Sequence, residues 1–74
     1  MKKLIDLINS GWDVNFQNQV KRIDSDFVIR TCWKAEYENE RYECAWAGFD
    51  DAKLCIEDFI KYANKVILLN IKIS

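Results

Sequence analysis

The stretch from Phe27 to Tyr62 constrains this chain more than any other part of it. Residues alternate through FVIRTCWKAEY, break at ENE, alternate again through RYECAW and then change to helical spacing in GFDDAKLCIEDFIKY. Alternation sends successive side chains to opposite faces of a sheet, and a shift to a 3.6-residue period marks an amphipathic helix. The stretch therefore predicts a β-hairpin feeding a helix. On its first strand the odd positions Phe27, Ile29, Trp33 and Tyr37 are bulky, whereas Arg30, Lys34 and Glu36 are even. The odd face is the expected core face.

Two even-length turns keep the core faces of this hairpin aligned, and charge discriminates between them. A Glu38-Asn39 turn sets Glu36 against Arg41 and Lys34 against Glu43, with Ala35 facing Tyr42, Trp33 facing Cys44 and Thr31 facing Trp46. An Asn39-Glu40 turn sets Glu36 against Glu43 and Trp33 against Trp46 instead. Cross-strand pairs contribute about 0.2 to 1 kcal/mol each, so the first register is preferred, although neither turn is the favoured Asn-Gly.

Elements on either side follow from the same periods. Met1, Leu4, Ile5 and Ile8 recur at helical spacing and predict a short helix closed by Ser10 and Gly11, the latter suited to a left-handed cap. Trp12, Val14 and Phe16 alternate with Asp13, Asn15 and Gln17 and predict a strand. Residues 18–26 have no clear period, leaving open a long loop or an extension of a first hairpin. Asp50 is a good N-cap for the second helix, with Phe49 and Leu54 placed to form a hydrophobic staple. Ala52, Cys55, Ile56, Phe59, Ile60 and Ala63 make its apolar stripe. Asn64 suits a left-handed cap, and β-branched VILLNIKI favours a fourth strand over helix continuing through Leu69. The fold class is thus α+β, in the order α-β-β-β-α, a three-stranded antiparallel sheet packed by two helices with a C-terminal fourth strand.

Size and composition exclude several function classes. With 74 residues, half of them hydrophobic, the chain forms a single domain over residues 1–74. A domain of this size buries about 60% of its unfolded surface. No run of about 18 apolar residues is present, and MKKLIDLIN turns polar too soon for a secretion signal, so a cytoplasmic protein is expected. Histidine is absent, which removes the usual acid/base of neutral pH and the triads built on it. Cys32, Cys44 and Cys55 lack paired metal-ligand spacing. Cys44 and Cys55 read as small core residues and Cys32 as pointing to the other sheet face. With only Gly11 and Gly48, no phosphate-cradling loop is available. The expectation is a protein that is not an enzyme and holds no cofactor or metal. Trp12, Trp33 and Trp46 read as core, and Val20 and Ile23 as exposed residues suited to a contact surface.

Charge is unevenly spread although its net value is only −1. Residues 1–35 hold six cations and four acids, whereas residues 36–58 hold two cations and eight acids. The acids concentrate at the hairpin tip and the start of the second helix, which adjoin in the inferred fold. Two readings stay open. In the simpler one the acids form a solvated face: Asp50 and Asp51 suit a helix N-terminus, Glu57 reaches Lys61, and Glu36 and Glu43 have cross-strand cations. In the sharper one Glu36, Tyr37, Glu38, Asn39, Glu40, Glu43, Asp50 and Asp51, with Tyr42 nearby, make a partner-binding surface that docks in a basic groove built for nucleic acid.

The helix-strands-helix order is shared with the double-stranded-RNA-binding domain, but the matching helix start here is Asp50, Asp51, Ala52, which phosphate repels. The small sheet-and-helix antitoxins related to that fold share an acidic helix start like GFDDAKLCIEDF. LIDLINSGWDVNF, DFVIR and ENERYECAWAGFDDAKLCIEDFIKYANK together resemble small phage and prophage αβββα proteins, among them type II-A anti-CRISPR inhibitors of the Cas9 nuclease. That resemblance implies a phage-encoded inhibitor acting in the bacterial host cytoplasm, its acids at Glu38, Glu40, Asp50 and Asp51 entering the DNA-reading cleft of a CRISPR effector nuclease. It implies a protein partner, with no direct nucleic-acid or membrane contact. The alternative from another class is an antitoxin-like or regulatory module that assembles, as a homodimer for instance, through the apolar tail VILLNIKIS.

Overall fold

The computed structural model describes residues 1–44 and 48–73, with side chains described as far as Asn70. Helix α1 (Leu4–Asn9) leads into strand β1 (Asp13–Ile23), then β2 (Asp26–Tyr37), β3 (Glu40–Glu43) and helix α2 (Ala52–Ile73). The strands form one antiparallel sheet in the order β1-β2-β3. This is the expected α+β arrangement, α-β-β-β-α.

Glu38 and Asn39 form the β2–β3 turn, so Glu36 faces Arg41, Lys34 faces Glu43 and Ala35 faces Tyr42, the register that charge pairing favours. The Cys44 N–H donates to the Trp33 carbonyl at 3.1 Å, continuing that ladder by one residue. Beyond it, Thr31 exchanges two backbone hydrogen bonds with Phe49, at 2.7 and 2.9 Å. Phe49 thus takes the place opposite Thr31 that the expected register gives to Trp46, a residue outside those described.

Residues 18–26 extend the first hairpin. The β1–β2 ladder runs without a bulge from Asp13↔Glu36 to Ile23↔Asp26 and turns at Asp24 and Ser25. Strands of eleven and twelve residues at about 3.3 Å each outrun the helix layer. The molecule is consequently elongated, 48 × 21 × 18 Å.

One side chain organises the core. Phe59 on α2 meets the edges of Trp12, Phe16 and Trp33 at centroid distances of 5.5, 6.0 and 5.1 Å. Leu7, Cys55 and Ala63 are fully buried around it. The Trp33 indole N–H donates to Asp58 at 2.9 Å, so one of the acids in the acid-rich stretch secures the core. Trp12 and Trp33 are core residues, as their strand positions suggest; Trp46 lies outside the described residues.

Four expectations about local structure are corrected. First, α2 continues to Ile73, and no fourth strand forms from residues 66–73. Val66 and Ile67 fall on the same helical face as Phe59 and Ala63 and pack on the core, which outweighs their β-propensity. Asn64 lies within this helix and caps nothing. Second, the N-cap of α2 is Asp51 rather than Asp50: its carboxylate accepts the Lys53 N–H at 2.8 Å and its carbonyl accepts the Cys55 N–H at 3.1 Å. With Asp51 as the cap the staple positions fall on Asp50 and Cys55 instead of Phe49 and Leu54, and Leu54 is half exposed.

Third, the inward residue of α1 is Leu7, with Leu4 half-buried; Met1, Ile5 and Ile8 are exposed. Gly11, at φ 111°, donates to the Ile8 carbonyl while Trp12 donates to that of Leu7, and this left-handed ending sets Leu7 beside Trp12 in the core. Fourth, Phe27 and Ile29 lie on the face that carries Trp33 but are exposed, because α2 begins level with Thr31 and runs the other way. Cys32 lies on the opposite face, as expected, and is nonetheless buried: Gly48 approaches so closely that a Cβ there would lie 2.7 Å from the Cys32 sulfur.

Candidate protein-binding surface

The β2–β3 turn gathers half of the candidate contact residues. Glu38 and Asn39 both adopt left-handed backbone, φ 50° and 67°, as a two-residue hairpin turn with the right twist demands. Asn tolerates that region. A glutamate there carries a strain of about 1 to 2 kcal/mol relative to glycine. Glu38, Asn39 and Glu40 are exposed, and among the described residues neither glutamate has an ion-pair partner.

An aromatic base supports this turn. Tyr37 stacks on Trp12 at 4.6 Å with the rings nearly parallel, and Tyr42 lies 5.4 Å from Trp12 and 5.7 Å from Tyr62. Burial pushes the Tyr42 hydroxyl above its usual pKa, and the Glu40, Tyr62, Glu38 and Tyr37 charges push the same way. The hydroxyl accordingly keeps its proton to higher pH than that of an unperturbed tyrosine. Tyr37 is half-buried, with its ring stacked on Trp12.

Glu36 and Glu43 belong to a different surface, the sheet face opposite the helices. A shallow groove of about 560 Å³ runs there past Asp13, Asn15, Lys34, Glu36, Arg41 and Glu43. Rows across the strands read Asp13, Glu36, Arg41 and then Asn15, Lys34, Glu43. Three acids and two cations share this face, so its charge is mixed rather than of a single sign.

Asp50 and Asp51 do not join the hairpin tip. Asp50 pairs with Arg30, and Asp51 is occupied as the α2 cap. Phe49 is fixed to Thr31, six residues along β2 from Tyr37, which separates the two acidic groups by about 20 Å. The expected adjoining surface thus divides in three: a free acidic turn at Glu38 and Glu40, a mixed-charge face bearing Glu36 and Glu43, and a neutralised corner at Asp50 and Asp51.

The structure adds exposed apolar residues at the end of the β1–β2 hairpin. Val20, Ile23, Phe27 and Ile29 are all exposed there. Val20 and Ile23 are identifiable from sequence by their aperiodic surroundings; Phe27 and Ile29 are not, because nothing in an alternating strand says where its covering helix stops. Among the described residues no group of three or more His, Cys, Asp or Glu side chains could hold a metal, and no helix is long and apolar enough to cross a membrane. Compared with known family models, curated proteins and solved structures, the chain matches none.

Proposed function

We propose that this chain is a small, non-enzymatic inhibitor, of the kind phages encode, that binds a host defence or nucleic-acid-processing protein at a basic groove. The observation that carries the reading is Glu38. It occupies a left-handed turn position that glycine or asparagine would fill with less strain, it is exposed, and it has no cation beside it among the described residues. Strain kept in an exposed acidic turn points to contact with something outside the chain. Glu40 adds a second free carboxylate, Asn39 a bidentate amide, and Tyr42 a neutral hydroxyl, a set that mimics the acceptors of a nucleic-acid backbone. The resemblance to anti-CRISPR αβββα proteins supports the same reading, with the contact narrowed to Tyr37, Glu38, Asn39, Glu40 and Tyr42.

The test is capture from bacterial host lysate at low and high salt with wild-type protein and a Glu38→Lys/Glu40→Lys variant, followed by competition on the purified partner with duplex DNA. Binding that salt weakens, charge reversal removes and DNA displaces is the expected result. Unchanged affinity in the variant would end the proposal. A second reading, a regulatory module that assembles through its C-terminal segment, is favoured by one observation: Leu68 and Leu69 are about half exposed on α2. Under that reading Leu68→Glu/Leu69→Glu removes assembly and the turn variant leaves it intact.

A further inference from the structure

We infer that a second copy of this chain binds along the free edge of β1, joining two sheets into one of six strands about a two-fold axis. The two-residue turn at Asp24-Ser25 closes on Ile23↔Asp26. Such a turn is closed by a hydrogen-bonded pair, and inward and outward backbone groups then alternate along each strand. The odd residues of β1 therefore bond β2. The N–H and C=O groups of Val14, Phe16, Asn18, Val20 and Arg22 point outward, and no described backbone hydrogen bond uses them.

Of the usual edge protections β1 has charges, at Asp13, Lys21 and Arg22, but not shortness, a bulge or a proline. Charge selects both the occupant and the register. Antiparallel pairing of β1 with its own copy admits a few registers that match outward groups. Centring the axis on Gln17 sets Asp13 opposite Lys21 of the second copy, twice by symmetry, with Val14 facing Val20 and Asn15 facing Gln19. Centring it on Asn18 sets Asp13 against Ile23 and Val14 against Arg22, with no ion pair. The Gln17 register is self-complementary, as a two-fold interface requires.

The same geometry brings together the exposed apolar residues at the two ends of β1. One end carries α1, with Ile5 67% and Ile8 48% exposed; the other carries Val20, Phe27 and Ile29 at 69, 71 and 66%. Antiparallel pairing lays each copy's hairpin end beside α1 of the other.

Sedimentation and light scattering over a dilution series test the inference, with hydrogen exchange as a second readout. The expected species has twice the 8.8 kDa chain mass. Asp13→Lys and Lys21→Asp each weaken it about tenfold or more, and the double variant Asp13→Lys/Lys21→Asp restores it. Val20→Pro, which removes an outward N–H without touching the β1–β2 ladder, abolishes the dimer while leaving the circular dichroism of the monomer unchanged. The amides of Val14, Phe16, Asn18 and Val20 gain protection as concentration rises. A chain that stays monomeric at every concentration overturns the inference. So does a dimer indifferent to the charge swap, or one lost only in Leu68→Glu/Leu69→Glu.

Discussion

The side-chain amide of Asn64 holds the backbone of Lys2 from both sides. Its Nδ2 donates to the Lys2 carbonyl at 3.0 Å, and its Oδ1 accepts the Lys2 N–H at 2.8 Å. The same Nδ2 also donates to the Ile60 carbonyl one turn back in α2, at 2.7 Å. A residue whose type suggests the end of a helix here ties the first residues of the chain to the middle of one.

Replacing Asn64 with alanine removes both contacts with Lys2 and should lower stability by about 1 kcal/mol, since the bonds are exposed. The Lys2 amide would lose its protection first. Hydrogen exchange measured beside thermal melting separates this local release from general destabilisation.

Gly48, at φ +69°, has no room for a side chain: a Cβ would lie 2.7 Å from the Cys32 sulfur and 2.9 Å from the Arg30 Cβ. Gly48→Ala should therefore cost about 2 to 3 kcal/mol, from crowding and left-handed strain together. Denaturant titration gives the value. A cost below that of an exposed glycine replacement would mean that the segment moves freely away from β2.

Phe59→Ala should be the most damaging single truncation, at about 3 to 5 kcal/mol. It empties the space between Trp12, Phe16 and Trp33. Near-ultraviolet circular dichroism from the tryptophans should collapse together with the thermal transition.

Asp51→Ala should cost about 1 kcal/mol at any ionic strength, because a cap hydrogen bond to Lys53 is lost. Asp50→Ala should cost less, and its effect should fade with salt, because Asp50 contributes an exposed carboxylate to Arg30. Equal costs for the two would contradict the assignment of the cap to Asp51.

Alkaline pH should destabilise the fold. Burial pushes the Cys55 thiol from an ordinary 9.0 up to about 11, with smaller contributions from Cys44, Cys32 and Asp58. The folded state thus keeps a proton that the unfolded state releases, so this contribution is whole below pH 9 and is lost as pH rises toward about 11. Cys44 and Tyr42 are raised as well and steepen the decline. Melting temperature against pH should fall over that window, and Cys55→Ala should flatten part of the fall.

What the sequence by itself determined was periodic and local. Alternation placed β2, β3 and the first half of β1, the Glu36–Arg41 and Lys34–Glu43 pairs selected the β2–β3 register, and the stripe through Cys55, Phe59 and Ala63 placed α2 on the sheet. The free acids at Glu38 and Glu40 were legible for the same reason, since a hairpin turn is defined by its immediate neighbours. Tertiary structure alone decided where one element stops covering another. Packing of Val66 and Ile67 carried α2 past Asn64, and the Thr31–Phe49 bridge set where that helix begins. That bridge exposed Phe27 and Ile29, paired Asp50 with Arg30, and moved the helix-start acids about 20 Å from the turn. Period says which face a side chain takes, but burial depends on how far the covering layer reaches, which is a long-range property of the packed chain.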